Sequence, residues 1–108
     1  MNPPSLWLPE TDQVRLAILG KLGEEANELG KACCRAVIQG LDGVDPETGE
    51  SNRIGIQDEI ADVGGLSALA VSQFKLDDVF ISNRAMDKYC HKLEWLQMII
   101  DHIEKTKR

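Results

Sequence analysis

Two pairs of carboxylates with the same spacing stand in two apolar segments of the sequence. Glu25 and Glu28 lie within "AILGKLGEEANELGKACCRAV", and Glu59 and Asp62 lie within "QDEIADVGGLSALAV". On an ideal helix each residue advances roughly 100°, which places Glu25 inside the apolar arc and Glu28 at its edge. Glu59 and Asp62 lean toward apolar neighbours in the same way. Carboxylates that face a packed surface are stable only when cations or metal ions offset their charge.

Antiparallel packing of the two segments would bring the four acids into one cluster of oxygen ligands. Mg²⁺ and Mn²⁺ prefer such ligands, and the cluster contains no soft donor. Because bound divalent ions activate water and hold phosphoryl groups, the chemistry that the cluster predicts is hydrolysis of a polyphosphate. The alternative is that each pair is a solvated helix face held in salt bridges. Two inward-leaning pairs in one short chain favour the metal site.

The elements that must position these acids are helices, and we expect an all-α, antiparallel helical bundle in a single domain over residues 1–108. No segment has a convincing strand pattern. Thr11 or Asp12 suits the N-cap of the first helix, which Gly20 and Gly23 could interrupt. The expected segments are an extended arm over 1–10, a first helix to Gly40, a loop over 41–53, a second helix over about 54–74 and a third over about 77–105.

Charge and composition exclude several classes of partner. The 108 residues have a net charge of −6, which disfavours binding to a nucleic acid polymer. No apolar run approaches the ~20 residues of a membrane span, and "MNPPSLWLPE" lacks the blocks of a signal peptide. We therefore expect a cytoplasmic protein without a membrane partner. The odd set of Cys33, Cys34 and Cys90 lacks zinc spacing, and these residues are interpreted as reduced, small core residues.

The third predicted helix has an apolar stripe that indicates a core or dimer contact. A short chain with this much apolar helical surface is expected to form at least a dimer. Trp95 on this helix would fill the core or stack on a base. The stripe consists of Val79, Met86, Tyr89, Cys90, Leu93, Leu96, Ile99, Ile100 and Ile103.

The order and placement of the two acidic motifs resemble a known family. "EEANEL" followed by "DEIADV" resembles the paired E-x-x-E and E-x-x-D motif of the MazG-like, all-α nucleoside triphosphate pyrophosphohydrolases, and "WLPET" and "RAMDKYCHKLEWLQMI" look like the flanks of that motif. The resemblance implies a four-helix core in a homodimer or homotetramer. It also implies Mg²⁺-dependent cleavage of ribo- or deoxynucleoside triphosphates into a monophosphate and pyrophosphate, in a role of nucleotide-pool house-cleaning.

Carried over to this sequence, the resemblance assigns the four acids to the metal and to catalysis. Glu25, Glu28, Glu59 and Asp62 match the metal-ligand positions. Glu24 and Asp58 are weaker candidates, for an outer role around the metal or for solvent.

The family often places a Lys and an Asn in the next helix to bind phosphate and substrate. Lys88 suits the first role, whereas His91 stands where the Asn is expected. Arg84 and Lys92 lie one turn either side of Lys88, so they are further candidates for phosphate contacts or parts of a solvated face. The resemblance therefore implies a substrate-binding set of Arg84, Lys88, His91 and Lys92.

Two other functions stay open at this stage. Phosphoribosyl-ATP pyrophosphohydrolases share the acidic helix theme, although "ADVGGLSALAV" lacks the aromatic and His residues associated with that branch. A non-catalytic dimerisation or regulatory module whose acids bind metal is the second alternative. A Walker-type ATPase is disfavoured because "GLDGVDPETGES" has the glycines of a phosphate loop without its Lys. The Glu-x-x-His motif of di-iron bundles is absent as well.

Overall fold

The computed structural model of the protein describes residues 7–107, and helices dominate it. Helix α1 spans Gln13–Gln39, α2 spans Asn52–Phe74 and α3 spans Asp78–Thr106. Within the described residues the β-type pairing is limited to one antiparallel bridge between Val44 and Ser51, so the all-α prediction is confirmed. No helix in this part of the chain combines the length and apolarity that a membrane span requires. Residues 1–6 of the predicted arm lie outside the described residues, and 7–10 have no regular structure.

Each helix begins at a side chain that caps it. The side-chain oxygens of Asp12, Ser51 and Asp77 accept hydrogen bonds from the backbone N–H three residues later, at 2.9, 3.3 and 3.0 Å. Such a cap stabilises a helix by about 1 kcal/mol. The first helix therefore begins after Asp12 rather than Thr11, and the second begins two residues before its predicted start at Ile54.

Helix α1 runs without interruption through Gly20 and Gly23. Each glycine costs roughly 1 kcal/mol relative to alanine, but packing of an amphipathic face stabilises a helix by more than propensity does. The helix ends at Gly40, which has a φ of +90° and donates its N–H to the carbonyl of Ala36 at 2.8 Å. A residue with a β-carbon rarely adopts this backbone conformation, so glycine suits the position.

Helices α1 and α2 pack against each other as an antiparallel hairpin within a first unit that ends at Leu76. Asn52 contacts Gln39 at one end of the pair, and Phe74 lines a shared cavity with Leu19 at the other. Side chains at helical spacing form the less exposed face of each helix. They are Ile18, Leu22, Glu25, Leu29, Ala32 and Ala36 on α1, and Ile56, Glu59, Val63, Leu66, Ala70 and Phe74 on α2.

The packed face of α1 lies closer to Glu25 than the sequence pattern indicates. Ala26 and Cys33 stand at helical spacing from Leu22 and Leu29, which places them on the same face by pattern alone, but both residues are exposed. The interpretation of the three cysteines as core residues is wrong, since Cys33, Cys34 and Cys90 are free and exposed. A small residue at the edge of an apolar face can be either buried or exposed, and sequence spacing alone does not distinguish these two cases.

Helix α3 belongs to a second unit that begins at Asp77. Its apolar stripe is exposed along the whole helix, with Met86 and Tyr89 each 61% exposed. The stripe is therefore not buried among the described residues of one chain, and a dimer contact stays a prediction. Trp95 does not fill a core either, because it is 52% exposed and the Lys92 ammonium lies 5.1 Å from its ring centroid. Helical periodicity identifies an apolar face without identifying what covers it.

Candidate metal centre and adjoining cleft

Three of the four predicted metal ligands lie together between α1 and α2. Glu25, Glu59 and Asp62 each offer a carboxylate oxygen, and these oxygens all lie within 4.8 Å of one another. Helix packing places them there, because Glu25 and Glu59 occupy the facing sides of the two helices and Asp62 follows Glu59 by one turn. The Glu25 side chain is only 16% exposed, and the Lys21 ammonium lies 4.0 Å from its Oε1.

The fourth predicted ligand, Glu28, stands outside this group of three. Glu28 is exposed and lines a neighbouring cleft together with Glu59 and Asp58. Glu24 faces solvent and pairs with Lys21 at 3.3 Å. The structure therefore agrees with a solvent role for Glu24 and places Asp58 next to the cluster.

Glu59 is the acid whose environment is least favourable for a negative charge. Within residues 7–107 its buried Oε2 has no hydrogen-bond partner. Burial raises the pKa of the Glu59 carboxyl above its ordinary value of 4.5, and neighbouring negative charges raise this pKa further. Those charges belong to Asp62, Glu25, Glu28 and Asp58. A buried oxygen that lacks a donor is costly, so the site is incomplete without a proton or a cation.

A divalent cation fits the three-acid group. The donors are all hard carboxylate oxygens, which Mg²⁺ and Mn²⁺ prefer. One carboxylate oxygen from each acid lies within 4.8 Å of the other two, so a small cation could be held among them once the side chains move closer together. Glu25, Glu59 and Asp62 would hold such an ion, and it would satisfy the unpartnered Oε2 of Glu59.

The raised pKa of Glu59 predicts how the stability of the metal-free protein depends on pH. The folded state binds a proton at Glu59 more tightly than the unfolded state does. The stability that Glu59 contributes is therefore fully present below the unfolded pKa and is lost as pH rises through the folded pKa. We expect the melting temperature in EDTA to fall as pH rises from about 4.5, and we expect Glu59→Gln to lack this part of the decline.

Glu24→Gln is the matched control for this measurement, because Glu24 is an exposed acid beside the same cluster. Thermal melts of the wild-type protein, Glu59→Gln and Glu24→Gln in EDTA give the comparison. Parallel pH profiles for the wild type and Glu59→Gln would show that Glu59 ionises as readily as a solvated acid.

An acidic cleft of about 250 Å³ adjoins the three-acid group. Acids outnumber bases along its walls, and both bases, Lys31 and Arg35, come from α1. The acids are Glu28, Asp45, Glu47, Glu50, Asp58 and Glu59. A polyanion would enter such a cleft only with cations, so a metal centre at one end matches the charge of the whole cleft.

The loop after α1 forms one wall of this cleft, and its key residue, Asp45, is only 7% exposed. Arg35 donates to Oδ2 of Asp45 at 2.7 Å, and the N–H of Glu47 donates to Oδ1 at 2.9 Å. The backbone of Asp45 is bonded as well, from its N–H to the carbonyl of Glu50 at 2.8 Å and from its carbonyl to the N–H of Gly49 at 2.8 Å. The loop is therefore an ordered turn.

Asn52 attaches the other end of the loop to α1. It is 5% exposed, and its Nδ2 donates to Oε1 of Gln39 and to the carbonyl of Gly40, both at 3.0 Å. Sequence reasoning missed Arg35, Asp45 and Asn52 as functional candidates and left the role of 41–53 open. The available signal was "DPETG", because Asp before Pro with a following Gly is typical of a turn that the Asp side chain organises.

The four predicted substrate-binding residues lie together on one side of α3. Arg84, Lys88, His91 and Lys92 line a shallow groove with Asp87. His91 Nδ1 lies 2.8 Å from the carbonyl oxygen of Asp87. Since a carbonyl oxygen only accepts, this contact is a hydrogen bond when Nδ1 bears the proton, which leaves Nε2 as the acceptor of the neutral ring. The groove offers three cationic side chains and one imidazole.

Comparisons with known proteins leave the chain without a relative on which to base an assignment. No family model, no curated protein and no solved structure matches it. The acids, the cleft and the sequence motif are therefore the features that indicate a function.

Proposed function

We propose that the protein is a Mg²⁺-dependent nucleoside triphosphate pyrophosphohydrolase. The observation that supports this proposal most is the buried, unpartnered Oε2 of Glu59 within a group of three carboxylates. A solvated helix face in salt bridges would not leave such an oxygen. The MazG-like motif formed by "EEANEL" and "DEIADV" supports the same reaction class.

The residues of the chain have separable roles in this reaction. Glu25, Glu59 and Asp62 would hold the cation. Glu28, which lines the adjoining cleft, would contribute a further carboxylate next to this cation. When bound, Mg²⁺ polarises phosphoryl oxygens and lowers the pKa of water. The carboxylates would fix the position of such a cation beside the cleft, and without a cation their negative charge repels anions. Mn²⁺ is expected to substitute for Mg²⁺ because it accepts the same ligands.

The basic side chains of α3 are proposed to bind the phosphates of the substrate. Arg84, Lys88 and Lys92 offer positive side chains on one side of α3, and His91 offers an imidazole beside them. Such groups neutralise charge that develops on a triphosphate during bond cleavage. Binding of phosphate to these residues stays a prediction from the family motif.

Association into a homodimer or homotetramer, with a four-helix core, belongs to the same proposal. The apolar side chains exposed along α3 support it, because a monomer rarely exposes so many. A cytoplasmic location is proposed as well, which agrees with the three free cysteines.

Hydrolysis in ¹⁸O-labelled water tests the bond that is broken. Water oxygen forms a bond to the α-phosphorus, the bridge from the α-phosphorus to the β-phosphate oxygen breaks, and a proton is released. We expect the label in the nucleoside monophosphate, with unlabelled pyrophosphate as the second product, by mass spectrometry. Label in orthophosphate with a nucleoside diphosphate beside it would exclude the proposed reaction even if the metal centre is correct.

A further inference from the structure

The loop between α1 and α2 is an ordered part of the cleft. Loop residues Asp45, Glu47, Thr48, Glu50 and Ser51 line the same cleft as the acids Glu28 and Glu59. A ligand that binds at the acids and extends along the cleft toward the loop therefore meets this wall.

The Arg35–Asp45 ion pair holds the wall against α1. Its 2.7 Å contact joins side chains that are 31% and 10% exposed, so it is shielded from water far more than the other ion pairs of the hairpin. Arg35 follows Glu28 by seven residues, which is two helical turns or about 10 Å along α1. The ion pair thus fixes the wall at a defined distance from the acids without touching the acids themselves.

Charge indicates which part of a nucleotide the wall meets. Residues 45–51, which form the wall, contain three acids and no Lys or Arg. The charge of Arg35 is already paired with Asp45. Such a wall repels phosphates. We therefore expect the triphosphate and its metal to bind at the acid end of the cleft, where Glu28 and Glu59 lie, and the uncharged nucleoside to bind at the wall.

We infer that the loop wall, residues 45–51, binds the nucleoside end of the substrate, and that Arg35 and Asp45 are positioning residues that hold this wall in place. The inference rests on the proposed function. Loss of the ion pair releases the wall and leaves the acids in place, because α1–α2 packing positions them. Substrate binding should therefore weaken while the chemical step stays unchanged.

Kinetics of pyrophosphate release from the four common deoxynucleoside triphosphates test this inference. We expect Asp45→Asn and Arg35→Gln to raise KM about tenfold with kcat within about twofold of the wild type. The affinity for Mn²⁺ alone, by electron paramagnetic resonance, should be unchanged. The inhibition constant of Mg²⁺-pyrophosphate should be unchanged as well, because pyrophosphate reaches only the acid end.

Two further variants separate positioning from folding. The double change Arg35→Asp with Asp45→Arg restores the pair with its charges reversed and should recover part of the KM. Arg53→Gln is the control, since Arg53 at the start of α2 forms an exposed ion pair with Asp42 of the same loop at 3.0 Å, and neither residue lines the cleft. It should leave KM unchanged. Arg35→Lys keeps the charge and provides a milder variant if Arg35→Gln does not fold.

Three other results would each overturn the inference. Unchanged KM in folded Asp45→Asn, and in Arg35→Gln where it folds, would show that the wall does not bind substrate. A pyrophosphate inhibition constant that weakens in parallel with KM would place phosphate at the wall. Weakened Mn²⁺ binding would show that the ion pair acts on the metal centre. If the wild-type protein hydrolyses none of the nucleotides, the proposed function fails together with the inference, whereas turnover with an unchanged KM overturns the inference alone.

Discussion

Glu59→Gln should lower turnover of nucleoside triphosphates by at least about 100-fold while the protein stays folded. Glutamine has the shape of glutamate, so α1–α2 packing is retained. The substitution removes the negative charge that would bind the metal. It also removes the cost of burying that charge and its repulsion by neighbouring acids, the two causes that raise the pKa of Glu59 in the metal-free protein. Activity and the melting temperature should therefore change in opposite directions, with a higher melting temperature in EDTA. Steady-state kinetics and thermal melts measure the two effects.

Glu28→Gln and Glu24→Gln are the comparison variants for this measurement. Glu28 lines the cleft together with Glu59 and is one of the four acids proposed to act in catalysis. Its substitution should therefore also reduce turnover strongly. Glu24 is exposed and pairs with Lys21, and its substitution should leave activity within about twofold because exposed pairs contribute little. Wild-type activity in both Glu28→Gln and Glu59→Gln would return these acids to the interpretation as solvated faces.

The periodicity of the sequence predicted the helices and the inward side of Glu25 and Glu59 for a local reason, whereas Glu28 and Asp62 are exposed. Asp12, Ser51 and Asp77 cap helices through contacts with residues only three positions away. Glu25 and Glu59 likewise fall on packed faces because helical spacing determines which side of a helix they occupy. Information of this kind is present in a short window of sequence.

The wall of the cleft could not be predicted in this way, because its contacts join distant parts of the chain. Arg35 reaches Asp45 across ten residues, and Asn52 reaches Gln39 across thirteen. No periodicity links these positions, and a loop rich in Gly, Asp and Pro is usually interpreted as a connector. The Asp-Pro turn signal identifies a bend, but it does not identify the helix to which the bend is attached.

The continuity of α1 through Gly20 and Gly23 shows a related limit. Helix propensity predicts what an isolated segment prefers, and it treats each glycine as a possible break. Packing against α2 stabilises the segment as a whole, so two glycines on α1 change its local stability without ending the helix. The length of α1 matters for the site because Glu25 and Arg35 belong to the same rigid element.

Removal of divalent metal should abolish activity and lower stability together. Excess EDTA should reduce turnover to the uncatalysed background, and Mg²⁺ or Mn²⁺ should restore it, since the candidate ligands are all carboxylate oxygens. A ligand that binds only the folded state at 100 times its Kd adds about 2.7 kcal/mol to the free energy of unfolding. For a domain of this size that corresponds to a rise in melting temperature on the order of 10 °C.

The origin of this rise can be assigned to the acids by substitution. In the wild type a bound cation would offset the charge of Glu59 and give its buried Oε2 a partner. Glu59→Gln should therefore lose most of the metal-induced rise, and Glu24→Gln should keep it, as differential scanning fluorimetry with increasing Mg²⁺ or Mn²⁺ would measure. A non-catalytic metal-binding module would show the same rise without turnover, so the two measurements separate that alternative from an enzyme. Full turnover in excess EDTA, with a melting temperature that does not respond to either ion, would exclude the metal centre altogether.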